Sequence, residues 1–107
     1  MPKYMIKATY STQGIKGVMK EGGTGRSDSV AKAIAGVGGQ MESFYFAFGT
    51  HDAYVTAELP DNESAMALAA AVGASGALSG YETVVLSTPE QVDRAMGLSV
   101  DYRAPGA

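Results

Sequence analysis

Two runs of strand-forming residues separated by a short polar turn dominate the middle of the chain: Phe44-Tyr45-Phe46-Ala47-Phe48, then Gly49-Thr50-His51-Asp52, then Ala53-Tyr54-Val55-Thr56-Ala57-Glu58-Leu59. Aromatic and β-branched residues on both sides of a glycine-containing turn predict a β-hairpin. A hairpin here fixes two adjacent antiparallel strands at the centre of the chain, and every other element has to be arranged around them. The same stretch holds all three phenylalanines, the single histidine and two of the six tyrosines. Side chains able to bind or react are therefore concentrated at this hairpin.

The flanking segments supply the remaining elements. Lys3–Tyr10 alternates Tyr4, Ile6, Ala8 and Tyr10 with Lys3, Met5, Lys7 and Thr9, the period of a half-buried first strand. Thr12–Lys20 has Ile15, Val18 and Met19 at helical spacing, and Glu21-Gly22-Gly23 interrupts it. A second helical stretch, capped by Thr24 or Ser27, carries Val30, Ile34 and Val37 on one face and ends at Gly38-Gly39. Met41–Phe48 reads as the second strand and Ala53–Leu59 as the third. Asp61 then caps an alanine-rich helix running to about Gly73, with Ala65, Leu68, Ala69 and Val72 toward the sheet. Ser79–Ser87 is the fourth strand. In Thr88-Pro89-Glu90-Gln91 the threonine can cap, proline suits the first helical position, and Gln91 closes a capping box. This last helix ends near Gly97. Residues 1–98 are expected to form one domain, and 99–107 a tail that is loosely ordered or docked on a partner subunit.

The order β-α-β-β-α-β with a terminal helix specifies an α+β, ferredoxin-like fold with both main helices on one face of the sheet. If Ile6, Val55, Ala57 and Val84 or Leu86 point at the helices, alternation puts Lys7, Thr9, Tyr54, Thr56, Glu58, Thr83 and Val85 on the uncovered face. The second strand is apolar on both sides, with Phe44, Phe46 and Phe48 opposite Met41, Tyr45 and Ala47. Such a strand is not stable in water as an open surface. A second copy is expected to cover the open face, giving a dimeric α/β barrel with a semi-polar interior.

Composition removes several classes of function. Without cysteine there are no disulfides, thiolate nucleophiles or cysteine-ligated metals. No leader pattern and no apolar run near the roughly 20 residues of a membrane span are present, so no membrane association and a cytoplasmic location are expected. A net charge of −3 and a pI near 4.9 argue against binding to nucleic-acid phosphates. The charge is uneven, +3 over residues 1–48 and −6 over 49–107, with all five lysines before residue 33. Either a lysine-solvated helical layer or an anion-attracting mouth or charge-complementary subunit contact accounts for that pattern.

Among single residues, adjacent His51 and Asp52 suggest a general base, since imidazole titrates near neutral pH and a carboxylate raises that value. The competing reading has Asp52 holding amides of its own turn and His51 facing solvent or the barrel rim. Lys7 and Glu58 form either a register-fixing ion pair or a proton-transfer pair on the open face. Tyr45 and Tyr54 add phenol donors for a flat or oxygenated molecule. The candidate ligand-binding set is thus Lys7, Tyr45, His51, Asp52, Tyr54 and Glu58, with His51 and Glu58 as candidate catalytic groups. No HxH or HxxxH spacing supports a metal site. No cofactor is expected, with haem on the lone His51 the one exception suggested by fold analogy. Glu21-Gly22-Gly23-Thr24-Gly25-Arg26 precedes a helical stretch whose free amides suit anions, but it lacks the lysine-serine ending of a P-loop.

Lys3-Tyr4-Met5-Ile6, Gly14 to Thr24, Phe44 to Asp52, Leu59-Pro60-Asp61-Asn62 and Thr88 to Asp93 together resemble the GYD domain family of small bacterial proteins, over about residues 3–96. At the family's Gly-Tyr-Asp signature stand Gly49, His51 and Asp52, with histidine where tyrosine is usual. The resemblance implies a dimeric ferredoxin-like α/β barrel and leaves the activity open. The first functional expectation is a homo-oligomeric module holding a small molecule between the sheets. A cofactor-free, monooxygenase- or isomerase-like enzyme acting on a small oxygenated or aromatic metabolite is the second, with His51 or Glu58 as base and Tyr45 or Tyr54 as donor. A purely structural assembly unit is the third.

Overall fold

The computed structural model describes all 107 residues. Its elements follow the order β1 (Lys3–Tyr10), α1 (Thr12–Gly36), β2 (Gln40–Phe46), β3 (Ala53–Glu58), α2 (Asn62–Ala74), β4 (Leu78–Leu86) and α3 (Pro89–Met96). The four strands form one open antiparallel sheet in the order β2-β3-β1-β4. This α+β arrangement is compatible with a ferredoxin-like fold.

Local chemistry accounts for the helix boundaries. The Ser11 side chain accepts from the Gly14 amide at 3.1 Å and caps α1; neither Thr24 nor Ser27 acts as a cap. Both expected helical stretches are present within α1 and meet at a kink at Gly22, whose φ of 85° and ψ of 162° suit only glycine. Asp61 caps α2 by accepting from the Ser64 amide at 2.8 Å. That bond and one from the Ser64 hydroxyl hold the Asp61 carboxyl below its ordinary pKa. The Thr88–Gln91 capping box is complete: Gln91 N–H donates to the threonine hydroxyl at 3.1 Å, and Thr88 N–H donates to the Gln91 side chain at 2.7 Å.

Tyr4, Ile6, Ala8, Ala53, Val55 and Ala57 are buried on one face of the sheet, against Ile34 of α1 and Ala65 and Leu68 of α2. The Tyr4 hydroxyl donates to Asn62 at 2.7 Å, tying β1 to the start of α2. Gly14 allows α1 to approach the loop before β4 closely: a Cβ there would lie 1.8 Å from the carbonyl oxygen of Ala77. That oxygen accepts from the Ser11 amide at 2.9 Å.

Two face assignments differ from expectation. Thr83 pairs with Ile6, and Val85 with Tyr4, so both lie on the helix side, while Val84 and Leu86 lie on the open side. Val85 remains 61% exposed because β4 is an edge strand that the helices do not fully cover. In β2 a register irregularity between Met41 and Ser43 puts Met41 opposite Ala57 and Phe44 opposite Val55. One extra residue at Glu42 flips the remainder of the strand. Met41, Phe44 and Phe46 therefore share the helix side, and Tyr45 projects from the open face at 70% exposure.

No helix is long and apolar enough to cross a membrane. All of α3 and the segment after it are exposed. The radius of gyration is 16.9 Å, against about 13 Å for a compact chain of this length.

Candidate functional site

Cross-strand pairing arranges the open face in rows. The first contains Gln40, Glu58, Lys3 and Leu86; the second contains Ser43, Thr56, Met5 and Val84; the third contains Tyr45, Tyr54, Lys7 and Glu82. Beyond the third row lie Thr9 and Gly80. The middle row is the least polar, and its Ser43 and Thr56 hydroxyls hydrogen-bond to each other. The third row brings Lys7, Tyr45 and Tyr54 together, as neighbours about 4.8 Å apart strand to strand.

His51 closes over the end of this row. Its Nδ1 lies 3.4 Å from the Thr9 hydroxyl, and its ring meets Tyr54 edge-on, with centroids 5.8 Å apart at 88°. Nε2 is 4.0 Å from a carboxylate oxygen of Glu82. Glu82 was not among the sequence-derived candidates. Its signal was present in the alternation of β4, because a glutamate opposite Lys7 can reach the hairpin once the correct face is assigned.

The other two carboxylates have different roles. Asp52 accepts from the Tyr10 amide at 2.9 Å, and its own amide donates to the Ala8 carbonyl at 2.8 Å. Its carboxylate thus fastens the hairpin to the end of β1, and no His51–Asp52 dyad forms. Nor does Asp52 cap amides of its own turn; the amide it satisfies belongs to the neighbouring strand. Glu58 stands opposite Lys3, four strand positions from Tyr54, which is roughly 13 Å. A Lys7–Glu58 pair is therefore absent: Lys7 faces Tyr54 and Glu82, and Lys3 instead meets Glu42 at 3.3 Å. As a catalytic or ligand-binding candidate, Glu58 is separated from the His51 cluster.

A second feature lies on the opposite side of the sheet. A cavity of about 280 Å³ opens between the sheet and the helices, lined mainly by apolar groups such as Ile6, Phe44, Val55 and Leu68. Tyr10, Arg26 and Tyr81 also line it. Burial raises the Tyr10 phenol above its ordinary pKa; Arg26 opposes that shift, and Asp52 and Glu21 add to it. Burial likewise raises the Tyr81 phenol, which Thr83 offsets only in part. The Tyr81 hydroxyl is buried and lacks a well-formed hydrogen bond. The cavity contains no histidine, while His51 belongs to the other face. No three histidine or carboxylate side chains gather around a common point for a metal.

No curated protein matches the chain. A family model described as the GYD domain matches residues 4–96, a span that includes β1 from Tyr4, the other three strands, all of α3 and the hairpin carrying His51. The chain belongs to the GYD domain family.

Proposed function

We propose that the protein is a homo-oligomeric small-molecule-binding module in which two copies oppose their open sheet faces, as in a dimeric α/β barrel. The observation that carries this reading is the amount of surface one copy leaves in water. Its accessible area is 7175 Å², whereas a folded monomer of 11.0 kDa exposes about 5,600 Å². The excess, about 1,500 Å² per chain, matches the area that an obligate homodimer interface removes.

The middle row of Met5, Val84 and Thr56 supplies an apolar contact strip, with polar rows above and below it. Exposed Val92, Met96, Leu98, Val100 and Tyr102 make the segment after Ser87 an arm that lies against the partner. Between the sheets, the Tyr45-Tyr54-Lys7-Glu82 row with His51 and Thr9 offers phenol, ammonium, imidazole and carboxylate groups beside aromatic surface. That set suits a small, oxygenated, partly apolar molecule.

A cofactor-free enzymatic use of the same row is the second reading, favoured by the approach of Glu82 to His51. In it, His51 acts as general base, Glu82 orients the imidazole and Tyr54 donates.

Native mass spectrometry of protein purified from its own host tests the binding reading. An oligomer carrying a stoichiometric extra mass is expected. A ligand-free oligomer that retains none of the host's small molecules would instead favour turnover or a purely structural unit, and a monomer at every concentration would overturn the assembly.

A further inference from the structure

The cavity beneath the sheet has a polar end that the assembly leaves unused. Arg26, Ser29, Val30 and Ala33 fall at helical spacing along α1 and all line it, so a guanidinium occupies the sheet-facing stripe of a helix where an apolar side chain is ordinary. Its Nε is buried without a hydrogen bond. Glu21, across the Gly22 interruption, lies 3.3 Å away without hydrogen-bond geometry and is itself exposed. Tyr81 sits opposite Ala8 in the register and Tyr10 opposite Leu78, so the two phenols are near neighbours on the same face. The end of the cavity thus presents a guanidinium and two protonated hydroxyls. The carboxylates nearest Tyr10 are committed elsewhere, Asp52 to the Tyr10 amide and Glu21 to Arg26.

We propose that this cavity binds a small amphipathic carboxylate, its two oxygens on Arg26 and the Tyr10 and Tyr81 hydroxyls and its apolar body along Ile6, Phe44, Val55 and Leu68. The donor set selects for a carboxylate. A guanidinium matches two oxygens in one plane, and an alcohol or ester of the same shape brings no countercharge to it, leaving the exposed Glu21 at 3.3 Å as its ionic partner. The volume of about 280 Å³ is at the lower end of ligand sites, which keeps the body compact. The site is complete within one copy and does not depend on assembly.

The test is an amide-resolved NMR titration of the full chain with hexanoate and, in parallel, 1-hexanol. Hexanoate is expected to give saturable shifts at Tyr10, at Arg26 to Ala33 and at Leu78 to Tyr81, with 1-hexanol binding roughly tenfold more weakly or worse. Arg26→Met should weaken hexanoate by a similar factor and leave 1-hexanol unchanged. Tyr81→Phe, which removes only a hydroxyl, should weaken hexanoate several-fold and decides the matter if Arg26→Met does not fold. The proposal is overturned if hexanoate produces no saturable shift at these amides, if 1-hexanol binds as tightly, or if the folded variants retain wild-type affinity for hexanoate.

Discussion

Gly14→Ala tests how the helical layer is fixed over the cavity. The added Cβ would stand 1.8 Å from the Ala77 carbonyl oxygen and 2.8 Å from its carbon, which are backbone atoms that no rotamer change can move away. Either the start of α1 or the turn before β4 has to retreat by more than an ångström, and the Ser11 N–H bond to Ala77 and the Ser11 hydroxyl bond to Gly76 are lost with it. Overpacking costs about 1–3 kcal/mol, the half-buried Ser11 amide left unpaired about another 1–3 at most, and alanine's helix preference returns about 1. The net loss is roughly 1–5 kcal/mol, or a fall of roughly 4–20 °C in Tm at about 4 °C per kcal/mol. Gly17→Ala is the control, since nothing lies within 4 Å of its added Cβ; it should gain about 0.5–1 kcal/mol from helix propensity alone. Thermal melts followed by circular dichroism read both. A Gly14→Ala protein melting within 2 °C of wild type, on the order of 0.5 kcal/mol by the same conversion, would refute this account of how α1 meets β4.

Further expectations follow from the same geometry. Asp52→Ala should cost about 2 kcal/mol, because it strands the Tyr10 amide, whereas His51→Ala should cost under about 1 kcal/mol, because no hydrogen bond closer than 3.4 Å holds the ring; equal costs in denaturant titrations would contradict the division of roles. Tyr10 and Tyr81 have raised folded-state pKa values, so their contribution to stability is complete below pH 10 and is lost as pH rises through those folded values. Absorbance at 295 nm should show two tyrosines ionising after the others, and one uniform class near 10 would speak against their burial. For Asp61 the sign is opposite: its lowered pKa means stability present above the unfolded value of 3.8 and lost as pH falls through the folded one. Asp61→Asn, which retains the cap, should flatten that acid-side dependence in melts taken from pH 5 to 2. Ending the chain at Ser87 should leave the sheet's circular dichroism intact and weaken the oligomer roughly tenfold or more, since no residue beyond Ser87 is buried in one copy and five large apolar side chains there are exposed.

Local signals in the sequence were strong wherever a single side chain decided the outcome. The Thr88–Gln91 box, the Asp61 cap, the glycine interruption near Gly22 and the alternation of Lys3–Tyr10 all correspond to features of the fold, because each depends on chemistry within a few residues. Positions that depend on pairing were harder to read. The extra residue at Glu42 reverses the faces of β2, and nothing in Met41-Glu42-Ser43-Phe44 marks it beforehand. The apolar run Val84-Val85-Leu86 in β4 gives no alternation, so its face was settled only by the pairing of Thr83 with Ile6 and Val85 with Tyr4. That reversal hides Glu82 as the neighbour of His51, whereas the Lys7–Glu58 pair fails on register, since Glu58 shares the open face with Lys7 but stands opposite Lys3. Arg26 is legible in the sequence only as the end of a glycine-rich turn; its position over the cavity depends on the direction the second half of α1 takes after the kink at Gly22.

The proposed joining of two copies through the open face of the sheet is open to sedimentation equilibrium of the wild type beside Val84→Lys. Val84 sits opposite Met5 in the apolar middle row, so in a two-fold assembly the substitution brings two ammonium groups into the contact while leaving the helix-side core untouched. A wild-type mass of at least twice the 11.0 kDa chain and a folded, monomeric Val84→Lys are expected. A wild type sedimenting at the single-chain mass across the micromolar range, or a Val84→Lys protein that associates as tightly as wild type, would contradict the proposed joining.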